Sequence, residues 1–138
     1  MSDIGTSVRN MLVDDSSIGA VVSARVMPGV LHQNETLPAI TYQVIDTIHA
    51  GYEGAKSGLA RARVQVKCFD TKYATTVSLS EDVRVSFDRY AGTVESVEIR
   101  RAFIDATRDD YEPAVDGSAR GRYVRILDFF VWYVENTS

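Results

Sequence analysis

The sequence has few of the residues that build metal centres, disulfides or catalytic triads. Its 138 residues include one cysteine, Cys68, and two histidines, His32 and His49. A single cysteine excludes an intrachain disulfide and fits a reducing compartment. The two histidines fall in or beside predicted loops and lack a second ligand at the spacing that zinc sites use. The sequence therefore favours a fold that needs neither a disulfide nor a structural metal.

Long apolar runs and an excess of positive charge are also missing. None of the apolar runs reaches the roughly 20 residues that a transmembrane helix needs. The net charge of -4 argues against general nucleic-acid binding, whose affinity comes from Lys and Arg neutralising phosphates. Hydrophobic residues make up 45% of the chain and charged residues 25%, which is ordinary globular composition. We expect a soluble protein with a single domain, residues 1–138, made in a cytoplasm.

Motifs for catalysis or cofactor binding are weak. Residues 55–57, Ala-Lys-Ser, resemble the end of a phosphate-binding loop but lack the glycine that precedes its lysine. The acidic residues between positions 105 and 112 lack the spacing of a calcium loop and are typical of a solvated charged surface. Cys68 lies on the apolar side of a predicted strand, where a thiol behaves as a small buried hydrophobe. We therefore predict no enzymatic activity and no cofactor.

Residues 61–90 predict a strand that runs directly into a long helix. Polar and apolar residues alternate from position 61 to 68, which gives the strand one apolar face and one basic-polar face. Asp70 is predicted to cap a helix of about five turns. Gly92 is predicted to end it, since glycine readily adopts the left-handed conformation of a helix C-terminus. The polar positions of the strand are Arg61, Arg63, Gln65 and Lys67.

The other elements are predicted from periodicity and from turn residues. The helical elements are a first helix capped by Ser2 or Asp3 and a helical turn at 18–22 capped by Ser16 or Ser17. The strands are at 24–30, 39–48, 94–106 and 122–135. A flexible loop is predicted at 49–59 and a second loop at 107–121. The strand at 24–30 contains Pro28 and is predicted to lie at an edge or bend, since proline cannot donate to a ladder. In the strand at 94–106, Val97, Ile99 and Phe103 are predicted to share one face.

These elements predict an α+β fold: a mostly antiparallel sheet with an N-terminal helix and one long helix packed on one face. The final strand is apolar on both faces, which is typical of a strand covered on both sides. Because about two helices are available, a neighbouring subunit is a candidate for one of the covers. Phe130, Trp132 and Tyr133 are then candidate interface anchors, with plain core as the alternative.

Two loops and one strand face are candidates for contact with a partner. The basic face of Arg61, Arg63 and Lys67 is the solvated side of a strand, meets an acidic partner, or lines a channel that carries nucleic acid. Residues and periodicity leave these three alternatives open. The candidates in the loops are Gly51, Gly54, Lys56 and Gly58 in the first, and Asp109 and Asp110 in the second.

The order of several short motifs resembles one known protein family. The motifs are Arg25-Val26-Met27-Pro28, Leu37-Pro38-Ala39-Ile40-Thr41-Tyr42, Cys68-Phe69-Asp70-Thr71-Lys72-Tyr73-Ala74, Val83-Arg84, Asp109-Asp110-Tyr111-Glu112-Pro113 and Asp128-Phe129-Phe130-Val131-Trp132-Tyr133. Their order and spacing, over nearly the whole chain, resemble the tail-completion, or tail-terminator, proteins of long non-contractile-tailed phages and related prophages.

The resemblance implies a ring, commonly of six subunits, that sits on the last ring of the tail tube and ends tube growth. Such a ring presents a surface to the head–tail connector or stopper protein, and DNA meets it only by passing through the lumen. It also implies a virion protein of the tail or neck, assembled in the bacterial cytoplasm, with no membrane partner, catalytic residue, metal or cofactor. The regions 51–59 and 109–121 would then contact these partners.

Two other classes of function stay open at this point. The first is a different structural protein of the same particle, such as a tail-tube or minor tail protein, which polymerises instead of capping. The second is a small ligand-binding or enzymatic α+β domain, which requires a concave site with convergent polar groups. The sequence offers no constellation of residues for such a site.

Overall fold

The computed structural model describes residues 3–32, 34–52, 55–114 and 121–135, with only the backbone of residues 50–52 and 55–57. Within these ranges the chain forms three helices and one six-stranded sheet. The helices are α1 (Ile4–Asp14), α2 (Ser16–Val22) and α3 (Tyr73–Phe87). The strands are β1 (Val26–Pro28), β2 (Ala39–Tyr52), β3 (Ala55–Asp70), β4 (Gly92–Val94), β5 (Val97–Glu112) and β6 (Arg122–Val134). The predicted α+β class is confirmed.

The sheet is mixed, with strand order β1-β2-β3-β6-β5-β4. β1 pairs parallel to β2, while every other pairing of the described strands is antiparallel. β1 occupies an edge of this sheet, as predicted from Pro28, which could not donate to a second neighbour. β3 and β6 are neighbours in the centre, although α3, β4 and β5 separate them in the chain.

All three helices pack against one face of the sheet, which we call the inner face. Val8 of α1, Ile18 of α2 and Phe87 of α3 belong to the same buried cluster as Val64 of β3 and Phe129 of β6. The rings of Phe87 and Phe129 lie 5.2 Å apart between centroids. Burying side chains of this size stabilises the fold by roughly 1.5–3 kcal/mol each. The main core therefore lies between the helices and the inner face.

The two N-terminal helices begin at aspartates. Asp3 accepts a 2.8 Å hydrogen bond from the backbone N–H of Thr6, which confirms it as a cap of α1. The short second helix is also present, but Ser16 and Ser17 do not cap it. Asp15 does so instead, by accepting a 3.0 Å hydrogen bond from the N–H of Ile18.

Both predicted ends of α3 are wrong. Asp70 still belongs to β3, where pairing with β6 holds its backbone extended, so α3 begins three residues later. The side chain of Asp70 accepts a 3.3 Å hydrogen bond from the N–H of Lys72 in the turn before the helix. At the other end Arg89, with φ of 64°, takes the left-handed conformation predicted for Gly92, and Gly92 starts β4. The helix has 15 residues, or about four turns.

The strands extend well beyond their predicted ends. β2 and β3 pair as far as Tyr52 and Ala55, so the described part of the predicted loop at 49–59 is strand. β5 likewise takes in residues 107–112 of the second predicted loop. The predicted strand at 94–106 divides into β4 and β5 at a turn where Glu95 and Ser96 have positive φ. In the two extended hairpins, ladder pairing outweighs the local preference of glycine and polar residues for loops.

A bulge in β5 corrects the predicted faces of that strand. The register against β6 shifts between Ile99 and Arg101, so one extra residue enters β5 there. Val97 and Ile99 share one face, as predicted, and are buried on it, but Ala102 takes the next buried position. Phe103 is 45% exposed on the opposite face.

A second small core covers one end of the outer face. It contains Leu31, Ala39, Phe69, Val124 and Ile126, with Met27 and Leu37 packed against it. Arg122 holds the connecting segment between β1 and β2 by donating 3.0 Å hydrogen bonds to the carbonyl oxygens of Leu31 and His32. Its guanidinium also lies over the Phe69 ring, 5.0 Å from the centroid. This segment leaves the other end of the outer face without a cover among the described residues.

Candidate interaction surface

The uncovered end of the outer face combines arginines with aromatic rings. In one row across three strands, Trp132 of β6 lies between Arg61 of β3 and Arg101 of β5. In the adjacent row, Phe130 lies between Arg63 and Phe103. We call this set of six the arginine–aromatic face: Arg61, Arg63, Arg101, Phe103, Phe130 and Trp132.

Two arginines of this face, Arg61 and Arg63, lie against its aromatic rings. The guanidinium carbon of Arg61 lies 4.8 Å from the Phe130 centroid and 5.7 Å from that of Trp132. The guanidinium carbon of Arg63 lies 5.8 Å from the Phe130 centroid. Cations at these distances are attracted to the negative face of an aromatic ring. The face therefore presents guanidinium groups whose orientation is fixed by the aromatic rings beneath them.

Within the described ranges, this face has arginines without an ion-pair partner and apolar side chains that are exposed to solvent. Among the described residues, no carboxylate forms an ion pair with Arg61, Arg63 or Arg101. Ile48 of β2, opposite Arg61, is 51% exposed, and Trp132 and Phe130 on the other side of β3 are half-buried. A mixed patch of unpaired arginines and exposed rings is typical of protein interfaces.

A polar network separates this face from the second small core. The carboxylate of Asp128, which is 1% exposed, accepts hydrogen bonds from Arg108 at 2.5 Å and from Gln65 at 3.2 Å. Lys67 lies beyond this network, opposite Ile126 and next to the covered end. The structure thus separates Lys67 from Arg61 and Arg63, with which it was grouped on sequence.

The three aromatic candidates for an interface lie on different faces. Phe130 and Trp132 are on the arginine–aromatic face, whereas Tyr133 is buried on the inner face opposite Ala60 and Ile99. Burial is the main cause that raises the pKa of the Tyr133 phenol. The interface role proposed for all three therefore has geometric support at Phe130 and Trp132 only.

The loop candidates are placed only in part. Gly54 lies outside the described residues, and Gly51 and Lys56 are described only as backbone within β2 and β3. Gly58 lies in β3 with a φ of 69°, where its carbonyl accepts a hydrogen bond from the N–H of Glu135. Such a positive φ favours glycine over residues with a Cβ atom.

Asp109 and Asp110 have different surroundings. The carboxylate of Asp109 accepts a 2.8 Å hydrogen bond from the Tyr73 hydroxyl and lies 3.3 Å from the Arg125 guanidinium. The bond to Asp109 raises the pKa of the Tyr73 phenol. Asp110 is exposed and accepts a 2.8 Å hydrogen bond from the N–H of Tyr111. Asp110 is thus the more accessible of the two for a partner.

A cluster of three tyrosines at the same end of the sheet was not predicted. Tyr123 packs against Tyr73 and Tyr111, with centroids 5.7 Å and 4.9 Å apart, and all three rings are exposed. They come from α3, β5 and β6, and nothing in the sequence links them. The alternation on β5 and β6 could have placed Tyr111 and Tyr123 on one face, had β5 been predicted to reach residue 112.

The two long hairpins extend from opposite ends of the sheet. β2 and β3 remain paired to Tyr52 and Ala55, beyond the last β6 pairing of Val134 with Leu59. At the other end, β5 and β6 remain paired to Glu112 and Arg122. The described parts of the candidate loops, residues 49–52 and 55–59 of the first and 107–112 of the second, therefore lie at opposite ends of the sheet.

No grouping of residues in the described ranges suggests catalysis. No set of three or more His, Cys, Asp or Glu side chains there could hold a metal ion. Cys68 is fully buried, as predicted, and burial raises the pKa of its thiol. None of the described helices is long and apolar enough to cross a membrane.

Comparison with known proteins agrees with this picture. A solved chain from the virion of a native gene transfer agent particle superimposes with a TM-score of 0.66 at 16% identity, covering 95% of this chain and 93% of that one. A second solved structure gives a TM-score of 0.56 at 13% identity, covering 98% and 95% of the two chains. No curated protein matches the sequence. The family model of the tail completion protein gp17 matches residues 6–133, and the chain therefore belongs to this family of phage tail structural proteins.

Proposed function

We propose that this protein is a tail terminator: a ring of identical subunits that caps the tail tube and joins it to the head connector or stopper protein. Membership of the tail completion family supports a role in the tail. The observation that best supports a ring is the arginine–aromatic face. Its arginines have no carboxylate partner within ion-pair distance in the described part of the chain. A surface of this kind is stable in a protein that buries it against another subunit.

The opposed hairpins provide separate contacts for two partners. In a ring whose axis runs along the strands, the β2–β3 hairpin projects on one side and the β5–β6 hairpin on the other. Gly51, Lys56 and Gly58 then belong to one axial surface, and Asp109 and Asp110 to the opposite one. One surface meets the tail tube and the other meets the connector, while DNA passes through the lumen.

The native mass of the purified protein, followed by negative-stain imaging of the same sample, tests the ring. We expect closed rings of about six subunits, formed alone or on added tail tubes. Long tubes formed by the protein alone would instead identify a tube protein. A monomer that forms no rings on tail tubes would overturn the proposal.

Deletion of residues 51–58 tests the hairpin contact separately. We expect the shortened chain to assemble as a ring, because the arginine–aromatic face is retained, but to complete fewer infectious particles. A shortened chain that completes particles at the normal rate would exclude this hairpin as a partner contact.

A further inference from the structure

We infer that the arginine–aromatic face of one subunit packs on a pocket in the helical layer of the next copy of this chain. This inference rests on the ring proposed above and specifies how its subunits meet. The pocket has a volume of 390 Å³ and lies where the end of α1 meets the end of α3 and the edge strand β4. We call it the acidic groove. Its lining includes Met11, Asp14, Asp15, Tyr90, Val94 and Glu95.

Closure of a ring requires two different surfaces on each subunit. In a cyclic assembly of more than two copies, every contact joins one patch to a different patch of the next copy. Two arginine–aromatic faces placed against each other would bring six arginines together with only two Asp46 carboxylates beside them, which leaves a net repulsion. The complementary surface must therefore be acidic and must lie elsewhere on the molecule.

The acidic groove has the chemistry to receive an arginine. Asp14 and Glu95 are exposed at its rim, and neither forms an ion pair with a described residue. Tyr90 and Val94 supply half-buried apolar surface in the same pocket. A guanidinium can bond the carboxylates while its alkyl stem lies on the apolar wall. Asp15 is already engaged as the cap of α2.

The positions of the two surfaces suit a contact between neighbouring copies. The arginine–aromatic face lies on the outer side of the sheet, and the acidic groove lies on the helical side. Next to the groove-lining Ser86 in α3, Val85 is 71% exposed and adds apolar surface to the helical side. Copies stacked face to groove can therefore repeat the same contact from subunit to subunit.

Protein fits this face better than nucleic acid does. A channel for DNA offers solvated Lys and Arg to phosphates, whereas Arg61 and Arg63 lie over aromatic rings. The face also exposes Phe103 and lies beside the carboxylate of Asp46, which is opposite Arg63. Apolar rings and a carboxylate add nothing to phosphate binding, but they suit a protein contact.

Charge reversal on each surface provides the test. The face variant carries Arg61→Glu and Arg63→Glu, and the groove variant carries Asp14→Lys and Glu95→Lys. Each places like charges against each other, so we expect each to raise the concentration needed for ring assembly roughly 100-fold. A chain carrying all four substitutions pairs opposite charges again and should assemble close to the wild-type concentration, as should a one-to-one mixture of the two variants.

A matched control distinguishes an effect of the arginine–aromatic face from an effect of net charge on assembly. Lys72→Glu with Arg84→Glu makes the same change in charge as the face variant, but at α3 and outside the arginine–aromatic face. We expect this control to assemble normally. Rescue of the face variant by the groove variant would also show that both are folded, because an unfolded chain cannot be rescued by a partner.

The outcomes separate this inference from the ring itself. If the wild-type protein forms no ring alone or on tail tubes, the proposed function fails first. If the wild type forms rings and the face variant forms them equally well, the contact inferred here is wrong. If the face variant forms rings but loses binding to a DNA duplex that the wild type retains, the face lines the lumen and the inference is likewise overturned.

Discussion

Arg108 donates a 2.5 Å hydrogen bond to the carboxylate of Asp128, which the sheet otherwise buries. Gln65 donates to the other carboxylate oxygen at 3.2 Å. These side chains come from three neighbouring strands, β5, β6 and β3, and they join the strands at the border of the arginine–aromatic face. A buried carboxylate without such partners would be strongly destabilising.

Removing Arg108 alone should therefore lower the free energy of unfolding more than removing both Arg108 and the Asp128 carboxylate. We expect Arg108→Met to lower the free energy of unfolding by about 2 kcal/mol, a figure reduced because half of the arginine side chain is exposed. Adding Asp128→Leu should recover most of this loss, because no charge is then left buried. Urea unfolding of both variants measures the difference. Equal stability of Arg108→Met and the wild type would show that the pair contributes nothing.

Arg122 should be irreplaceable by lysine. It donates to Glu112 at 2.6 Å and to two backbone carbonyls of the segment between β1 and β2. A lysine ammonium cannot reach three acceptors in this planar arrangement. We expect Arg122→Lys to cost about 2 kcal/mol in urea unfolding and to expose that segment to proteolysis.

A variant of the same cluster provides its control. Glu112→Gln removes the ion pair but keeps both carbonyl bonds to Arg122, so its cost should stay below about 1 kcal/mol. If Glu112→Gln destabilises the protein as much as Arg122→Lys does, the ion pair and not the carbonyl bonds holds the segment.

The cap of α1 should make a small, pH-dependent contribution to stability. The backbone hydrogen bond from Thr6 lowers the pKa of Asp3 below its ordinary 3.8. A lowered folded pKa means that the contribution is present above 3.8 and is lost as the pH falls through the folded value. At neutral pH we expect Asp3→Ala to cost about 1 kcal/mol.

Urea unfolding of the Asp3 variants across the acidic range measures this effect. The difference between the wild type and Asp3→Ala should shrink as the pH falls below 3.8. Asp3→Asn should retain a cap that does not titrate, because its amide oxygen accepts a hydrogen bond at any pH. A difference between wild type and Asp3→Ala that stays constant down to about pH 3 would contradict the assignment.

Cys68 should report unfolding. Its thiol is fully buried on the inner face, and burial raises its pKa, so the reactive thiolate is scarce in the folded protein. We expect a thiol reagent to label Cys68 at a rate that follows the unfolded fraction as urea increases. Rapid labelling without denaturant would mean that β3 opens locally in the native state.

The limits of sequence reasoning show most clearly at the hairpins. Gly51, Gly54 and Gly58 indicated a loop, yet Gly51 lies in β2 and Gly58 lies in β3. The polar run from position 107 also indicated a loop, but the facing residues of β6 keep it in β5. Local composition indicates the conformation that a segment prefers in isolation, whereas the length of a strand depends on the neighbouring strand with which it pairs.

The same limit applies to the candidate surface. Arg61 and Arg63 were predicted to share one face of a strand, and Phe130 and Trp132 were predicted as interface anchors on the final strand. That these four residues share one surface depends on the pairing of β3 with β6, and Arg101 and Phe103 join it only through the bulge in β5. A one-residue change of register would send every side chain of a strand to the other face.

The sequence by itself determined the α+β class, the two faces of β3, the burial of Cys68, a cap of α1 at Ser2 or Asp3, and the resemblance to tail completion proteins. Each of these depends on a period of two or of 3.6 residues, or on motif order along one segment, so neighbours in the chain suffice. Only the tertiary structure decided the ends of α3, the lengths of the hairpins, the tyrosine cluster and the arginine–aromatic face. These depend on which distant strand lies alongside and in which register, and that choice is made by the shared core.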